Sequence, residues 1–258
     1  MPPLVDSHQI RVIQSYSPTS GVRVSLNPEI GWHVVGNDII DLHYFEAPLY
    51  HSIGYLQRVT APSEFQAIRQ SQDPALILCA IWAAKEAAFK FFSKQGLVSH
   101  FIPRQFLTDF SVQTVEAEVD GAVTYCSRTV QVRLQRASQW VHAIVADCEA
   151  NSVFGRVVAI QQDGFPCHET ESAAARKAAA ELLASLEEPE MVLTYSGCIP
   201  YLRLANGSPS HLDVSLSHHG RFAAAAVARG AAQTMERSSN RRLLAATTME
   251  APCCTCMV

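Results

Sequence analysis

The chain has 258 residues, and only 17% of them are charged. It has no apolar run long enough to cross a bilayer. The longest uncharged apolar stretch, Pro74–Ala84, covers 11 residues, where a spanning helix needs about 20. The chain also has no excess of positive charge. It carries 20 basic and 24 acidic side chains, a formal charge of −4, which excludes a general polyanion binder and makes nucleic acid an unexpected partner. Met1–Asp6 has neither the basic start nor the apolar stretch of a secretory signal. Paired cysteines are missing as well. Cys79, Cys126, Cys148, Cys167 and Cys198 are scattered, and only Cys253, Cys254 and Cys256 crowd together. No second cysteine pair completes a zinc site, and Thr255 breaks the prenylation pattern. We expect reduced thiols and a cytoplasmic protein. What is present is ample apolar content, 48%, enough for a packed core and too much for a disordered chain.

The order of elements suggests two units. Residues 1–30 carry the turn cluster Ser17-Pro18-Thr19-Ser20-Gly21 and read as an N-terminal extension. Residues 31–150 read as a first lobe. Its strand, Trp32–Leu42, contains Asp38 and Asp41. A short helix is expected over 62–72. Asp73 as N-cap and Pro74 at the first helical position start a long, buried helix that stops at Gly96. Alternating β-type residues fill 106–146, with Asp120-Gly121 as a hairpin signal. Residues 151–230 read as a second lobe: a strand over 155–160, a turn at 163–166, a helix over 172–185, and strands over 191–204 and 212–228 joined at Asn206-Gly207. Residues 231–258 are polar and read as a flexible tail.

Two constellations carry chemistry. Asp38 lies in the buried strand, and Glu86 lies in the long helix among Trp82, Ala83, Ala84, Ala87, Ala88 and Phe89. A carboxylate in such apolar company needs a partner. Lys90 shares its helix face. The plain reading is an ion pair worth about 0.2–0.5 kcal/mol. The other reading is a hard cation held by Asp38 and Glu86, with Lys85 and Lys90 gripping a phosphate. In the second lobe Ser215, Ser217 and His219 alternate with Val214, Leu216 and His218 before Gly220. Such donors beside a turn suit a phosphate, and they also suit a structural role.

These residues resemble one family. Gly36-Asn37-Asp38-Ile39, Trp82-Ala83-Ala84-Lys85-Glu86-Ala87-Ala88-Phe89-Lys90 and Ser215-Leu216-Ser217-His218 stand in the order of three signatures of the 4'-phosphopantetheinyl transferases, in its holo-acyl-carrier-protein synthase branch. Arg58-Val59-Thr60-Ala61-Pro62-Ser63-Glu64 and Pro200-Tyr201-Leu202-Arg203-Leu204 are similar to two further stretches of that branch. Ile40 stands where the two-lobed members carry a second acidic residue. Gly197-Cys198-Ile199-Pro200 lacks the lysine of the family's Gly-Lys-Pro.

The resemblance implies transfer of 4'-phosphopantetheine from coenzyme A to a serine of an acyl or peptidyl carrier protein, as in fatty acid biosynthesis, with release of adenosine 3',5'-bisphosphate. It implies Mg²⁺ on Asp38 and Glu86, proton transfer by Glu86, and phosphate contacts from Lys90, Lys85, Ser217 and His218. Arg58 and Arg69 would dock an acidic carrier protein. The alternative is a non-catalytic relative that binds coenzyme A or a carrier protein. We expect an α+β fold of two similar lobes, each a small antiparallel sheet packed on a long helix, related by a pseudo-two-fold axis within a monomer. The rival fold is a hot-dog enzyme, with one long helix wrapped by one sheet.

Overall fold

The computed structural model describes residues 33–44, 52–110, 118–148, 152–160, 168–188 and 190–230. The expected extension over 1–30, the turn at 163–166 and the tail over 231–258 lie outside them.

The fold is α+β with antiparallel sheets. Strand β1 (Val35–Asp41) is followed by helices α1 (Ile53–Val59), α2 (Pro62–Gln70) and α3 (Pro74–Lys94). Strands β2 (Leu107–Asp109), β3 (Glu118–Tyr125), β4 (Arg128–Arg136) and β5 (Trp140–Ala146) complete a five-stranded sheet in the order β1-β5-β4-β3-β2. After β6 (Val153–Ala159) and helix α4 (His168–Ser185), the chain forms two hairpins. These are β7 (Met191–Ser196) with β8 (Ile199–Leu204), and β9 (Leu212–His219) with β10 (Phe222–Arg229). The second sheet has the order β6-β10-β9, and β7-β8 stands apart.

Local chemistry sets the ends of α3. Asp73 Oδ1 accepts from Leu76 N at 3.0 Å, Pro74 needs no N–H there, and Gly96 leaves the helix with φ 71°. The helix is buried on nearly all sides from Leu76 to Ala88. Its less buried residues, Trp82, Glu86, Phe89, Lys90, Ser93 and Lys94, recur every three or four positions and form one stripe. Helix α3 packs on one face of the first sheet, with Ile77, Leu78, Phe91 and Phe92 in a core shared with Val132, Leu134 and Val141. Each such side chain contributes about 1.5–3 kcal/mol on burial. Helix α4 packs on the second sheet through Ala178, Ala179, Leu182 and Leu183. Two long helices on two sheets differ from one helix wrapped by one sheet, so the hot-dog arrangement is not adopted.

The other faces of the two sheets meet. Val35, Ile144 and Ala146 pack on Ala226 and Ala228, and Ile39 packs on Phe222 and Ala224. Alternate residues of β10 therefore face α4 and the first sheet, which explains a strand buried on both sides.

Three expectations are corrected. Asp120-Gly121 is no turn but lies inside β3. A Cβ on Gly121 would stand 2.5 Å from Phe110 Cβ, so this glycine serves a close approach. The hairpin turns instead at Cys126 and Ser127, both at positive φ (46° and 65°), the conformation a two-residue turn between twisted strands requires. The segments 191–204 and 212–228 are not single strands. Each folds into a hairpin, at Gly197-Cys198 and Gly220-Arg221, and both glycines have positive φ. Helix α1 had no periodic signal, because only Leu56 and Val59 of its seven residues are buried.

Candidate active site

Gly36 explains how the strand reaches the helix. A Cβ at this position would lie 2.0 Å from Ala87 O and 2.7 Å from Phe91 N. Only glycine lets α3 cross β1 this closely. The crossing brings Asp38 beneath the less buried stripe of α3. Lys90 Nζ donates to Asp38 Oδ1 at 2.8 Å and to Asn37 O at 3.0 Å. Glu86 lies one turn before Lys90 on the same face of α3, with Asp38 as its charged neighbour. Burial, then the Asp38 charge, push the Glu86 carboxyl up to about 8, with Lys90 opposing. The Glu86 carboxyl is therefore tuned toward neutrality.

The strand carrying Ser217 and His218 lies beside β1. The outward amides of β1, which no strand among the described residues covers, are taken by β9 side chains. Val35 N donates to Asp213 Oδ2 at 2.8 Å, Asn37 N to Ser215 Oγ at 3.0 Å, and Asp41 N to His219 Nδ1 at 3.0 Å. The polar alternation of β9 is thus the seam between the two sheets and seals an open edge. Ser217 belongs to this seam. It is 3% exposed, and its hydroxyl accepts from Asn37 Nδ2 at 3.0 Å. His142 Nε2 lies 3.0 Å from the same Asn37 nitrogen. Burial holds that imidazole down to about 3, so it is neutral.

His218 points the other way, toward α4. Its Nδ1 is 3.3 Å from Glu171 Oε2, and its ring meets that of His168 edge-on at 5.5 Å. Burial lowers its pKa, Glu171 opposes that, and His168, Lys90 and Asp38 also act on it. Its strand neighbour Ser217 is bonded to Asn37, the neighbour of Asp38, at 3.0 Å, which places His218 one residue from that seam.

Of the expected site residues, the structure brings Asp38, Glu86 and Lys90 into one cluster and sets His218 near it. Lys85 is not brought there. Its ammonium is fully buried on the other side of α3 and donates to Glu64 Oε2 at 2.6 Å, Val59 O at 3.0 Å and Pro103 O at 3.0 Å. All three of its donors are engaged, leaving none for a phosphate. Glu64 is equally committed, accepting from Ala61 N, Thr108 N and Thr108 Oγ1.

Sequence reasoning missed several partners. Asp41 faces Arg221, which donates from Nε at 2.8 Å, Nη2 at 2.7 Å and its backbone N at 2.9 Å. Burial works against the Asp41 charge, but these bonds outweigh it and hold the carboxyl below its usual range. Asp41 is therefore a structural clasp and not a partner of Asp38. Glu171 and His168, on α4, gave no signal in one dimension.

Two groups of possible cation ligands are present among the described residues. Asp38 and Glu86 offer oxygens. Two neighbouring carboxyl groups fit a hard divalent cation, which takes oxygen ligands. His33, Asp147 and Cys148 bring donor atoms within 4.8 Å of one another at the start of β1 and the end of β5.

Residues 34–145 match the family described as the 4'-phosphopantetheinyl transferase superfamily. This range spans β1 to β5 and includes Asp38, Glu86 and Lys90. Ser217 and His218 lie beyond it. No curated protein matches the chain.

Proposed function

We propose that this chain, with its phosphopantetheinyl transferase superfamily region over residues 34–145, transfers 4'-phosphopantetheine from coenzyme A to a serine of an apo carrier protein. The observation that carries the reading is the Asp38–Glu86–Lys90 cluster, three groups held together by the crossing of α3 over β1. The transfer forms a bond from the serine oxygen to phosphorus and breaks the pyrophosphate bond on its other side. Adenosine 3',5'-bisphosphate leaves with the electron pair. Glu86 takes the serine proton, a role that suits a carboxyl whose pKa is raised toward neutrality. Lys90 stabilises charge on the pyrophosphate. Asp38 and Glu86 would hold Mg²⁺, which supplies further charge neutralisation there when bound. His218, with Ser217 fixing its strand from below, contacts the 3'-phosphate end of coenzyme A.

The domain reading is part of the same proposal: a first lobe over 31–150 and a second over 151–230, related by a pseudo-two-fold axis in a monomer. Each half has a long helix on an antiparallel sheet, and their edge strands β1 and β9 face each other. Arg58 and Arg69 are exposed at the ends of the consecutive helices α1 and α2 and would meet an acidic carrier protein. No helix among the described residues is long and apolar enough to cross a membrane. The described cysteines form no disulfide with one another, which suits a cytoplasmic setting.

The test is incubation with fluorescently tagged coenzyme A, Mg²⁺ and a panel of apo carrier proteins from fatty-acid, polyketide and peptide synthesis. In-gel fluorescence should appear on at least one carrier and vanish in that carrier's serine-to-alanine variant. Binding of coenzyme A without labelling of any carrier would favour the non-catalytic relative.

A further inference from the structure

Lys94 lies one helical turn beyond Lys90 and two beyond Glu86, on the same stripe of α3. Its ammonium donates to Asp213 Oδ2 at 2.8 Å, Val214 O at 2.6 Å and Val35 O at 2.8 Å. Asp213 Oδ2 accepts from Val35 N as well, at 2.8 Å. One ion pair therefore joins three elements: the helix carrying Glu86 and Lys90, the strand carrying Asp38, and the strand carrying His218. The Lys94 side chain is 4% exposed and that of Asp213 16%. Burying two charges in this way costs desolvation that a well-packed apolar pair avoids. An apolar pair, however, has no direction and would tolerate sliding. Along a strand a slip of one residue turns every side chain to the opposite face, and here that would carry His218 away from α4 and into the seam.

We infer that Lys94 and Asp213 are positioning residues: they fix how β9 lies beside β1 at the end of α3 and so set His218 where it can serve the same ligand as Glu86 and Lys90. This rests on the reading of the site given above. Both residues act through others and touch no reacting atom.

The test uses the full chain with the paired substitution Lys94→Gln/Asp213→Asn, which removes both charges and keeps hydrogen-bonding groups, beside the single Lys94→Ala. Coenzyme A and Mg²⁺ affinities are measured by calorimetry. The His218 pKa is read by NMR titration without metal, with and without Lys90→Met. We expect coenzyme A binding to weaken by about tenfold or more, as for other small misplacements of binding groups. Mg²⁺ affinity should be unchanged, because Asp38 and Glu86 both lie on the near side of the seam. Lys90→Met should raise the His218 pKa in the parent chain and have little effect once the pair is replaced. An unchanged coenzyme A affinity with an intact His218 response would overturn the inference. So would equal weakening of both ligands with a loss of thermal stability, which would make the pair a fold-holding contact only. A parent chain that binds no coenzyme A would count against the functional reading, and the His218 response would still decide the role of the pair.

Discussion

Asn37 and Ser217 share a hydrogen bond, 3.0 Å from Nδ2 to Oγ. The residue before Asp38 is thereby tied to the residue before His218, although 180 positions separate them. Asn37 has a second bearing on the site, since its carbonyl accepts from Lys90. A single buried residue thus touches both halves of the candidate centre. Its own Oδ1 and the Nδ1 of the neighbouring His142 have no partner among the described residues, so the seam maintains this arrangement without satisfying every group in it.

Gly36→Ala should damage the site through the backbone. The added Cβ would meet backbone atoms Ala87 O and Phe91 N, which cannot turn aside as a flexible side chain could. A loss of about 3 kcal/mol or more is expected, at the upper end for overpacking, measured by urea denaturation. A Gly36→Ala chain as stable as the parent would show that the crossing has slack.

Lys85→Met tests the reassignment of that lysine. It would leave the Glu64 carboxylate buried without its ammonium partner, a change that costs about 3–5 kcal/mol. The expected signature is lower stability with the coenzyme A affinity of the surviving folded protein intact. A selective loss of coenzyme A affinity at full stability would return Lys85 to the phosphate.

Much of the stretch from β1 to β5 was legible because its signals are local. Asp73-Pro74 and Gly96 mark both ends of α3 chemically, and helix spacing puts Glu86 beside Lys90, while adding Asp38 to them depends on the family resemblance. What escaped depends on distant pairing. Lys85 and Lys90 look alike in sequence, yet five positions on a helix turn them to opposite sides, one to Glu64 and one to Asp38. The alternating Ser215, Ser217 and His219 were readable as a polar face. That this face seals the edge of β1 required the second sheet to be in place. Asp120-Gly121 misled because glycine serves close approach as readily as turns.

The Glu86 carboxyl gives the metal-free protein a pH dependence of definite sign. Its pKa rises from 4.5 to about 8 on folding, so the folded form binds the proton more tightly than the unfolded chain. That stabilisation is fully present below pH 4.5 and is lost as the pH climbs through about 8. Melting temperatures in chelator should fall across this range, and Glu86→Gln should flatten the fall. An equal slope in the variant would place the titrating group elsewhere.

The Asp41–Arg221 clasp makes two substitutions costly. Arg221→Ala leaves a buried carboxylate with few partners and should cost about 3 kcal/mol, moderated by the part of Arg221 that is exposed. Gly220→Ala places a Cβ 2.6 Å from Tyr44 Cδ2 and 2.8 Å from Asp41 Oδ2 at φ 56°, and should cost about 1–3 kcal/mol. Thermal unfolding of the two variants would read both losses, and wild-type stability in either would show the clasp to be dispensable.

The most direct test of the account is the intact mass of an apo carrier protein after incubation with this protein, coenzyme A and Mg²⁺, run in parallel with Glu86→Ala. The account predicts a gain of one phosphopantetheine unit with the parent chain and none with the variant, while both remain folded. The same gain from Glu86→Ala at an undiminished rate would contradict the assignment of the Asp38–Glu86–Lys90 cluster as the centre of the reaction.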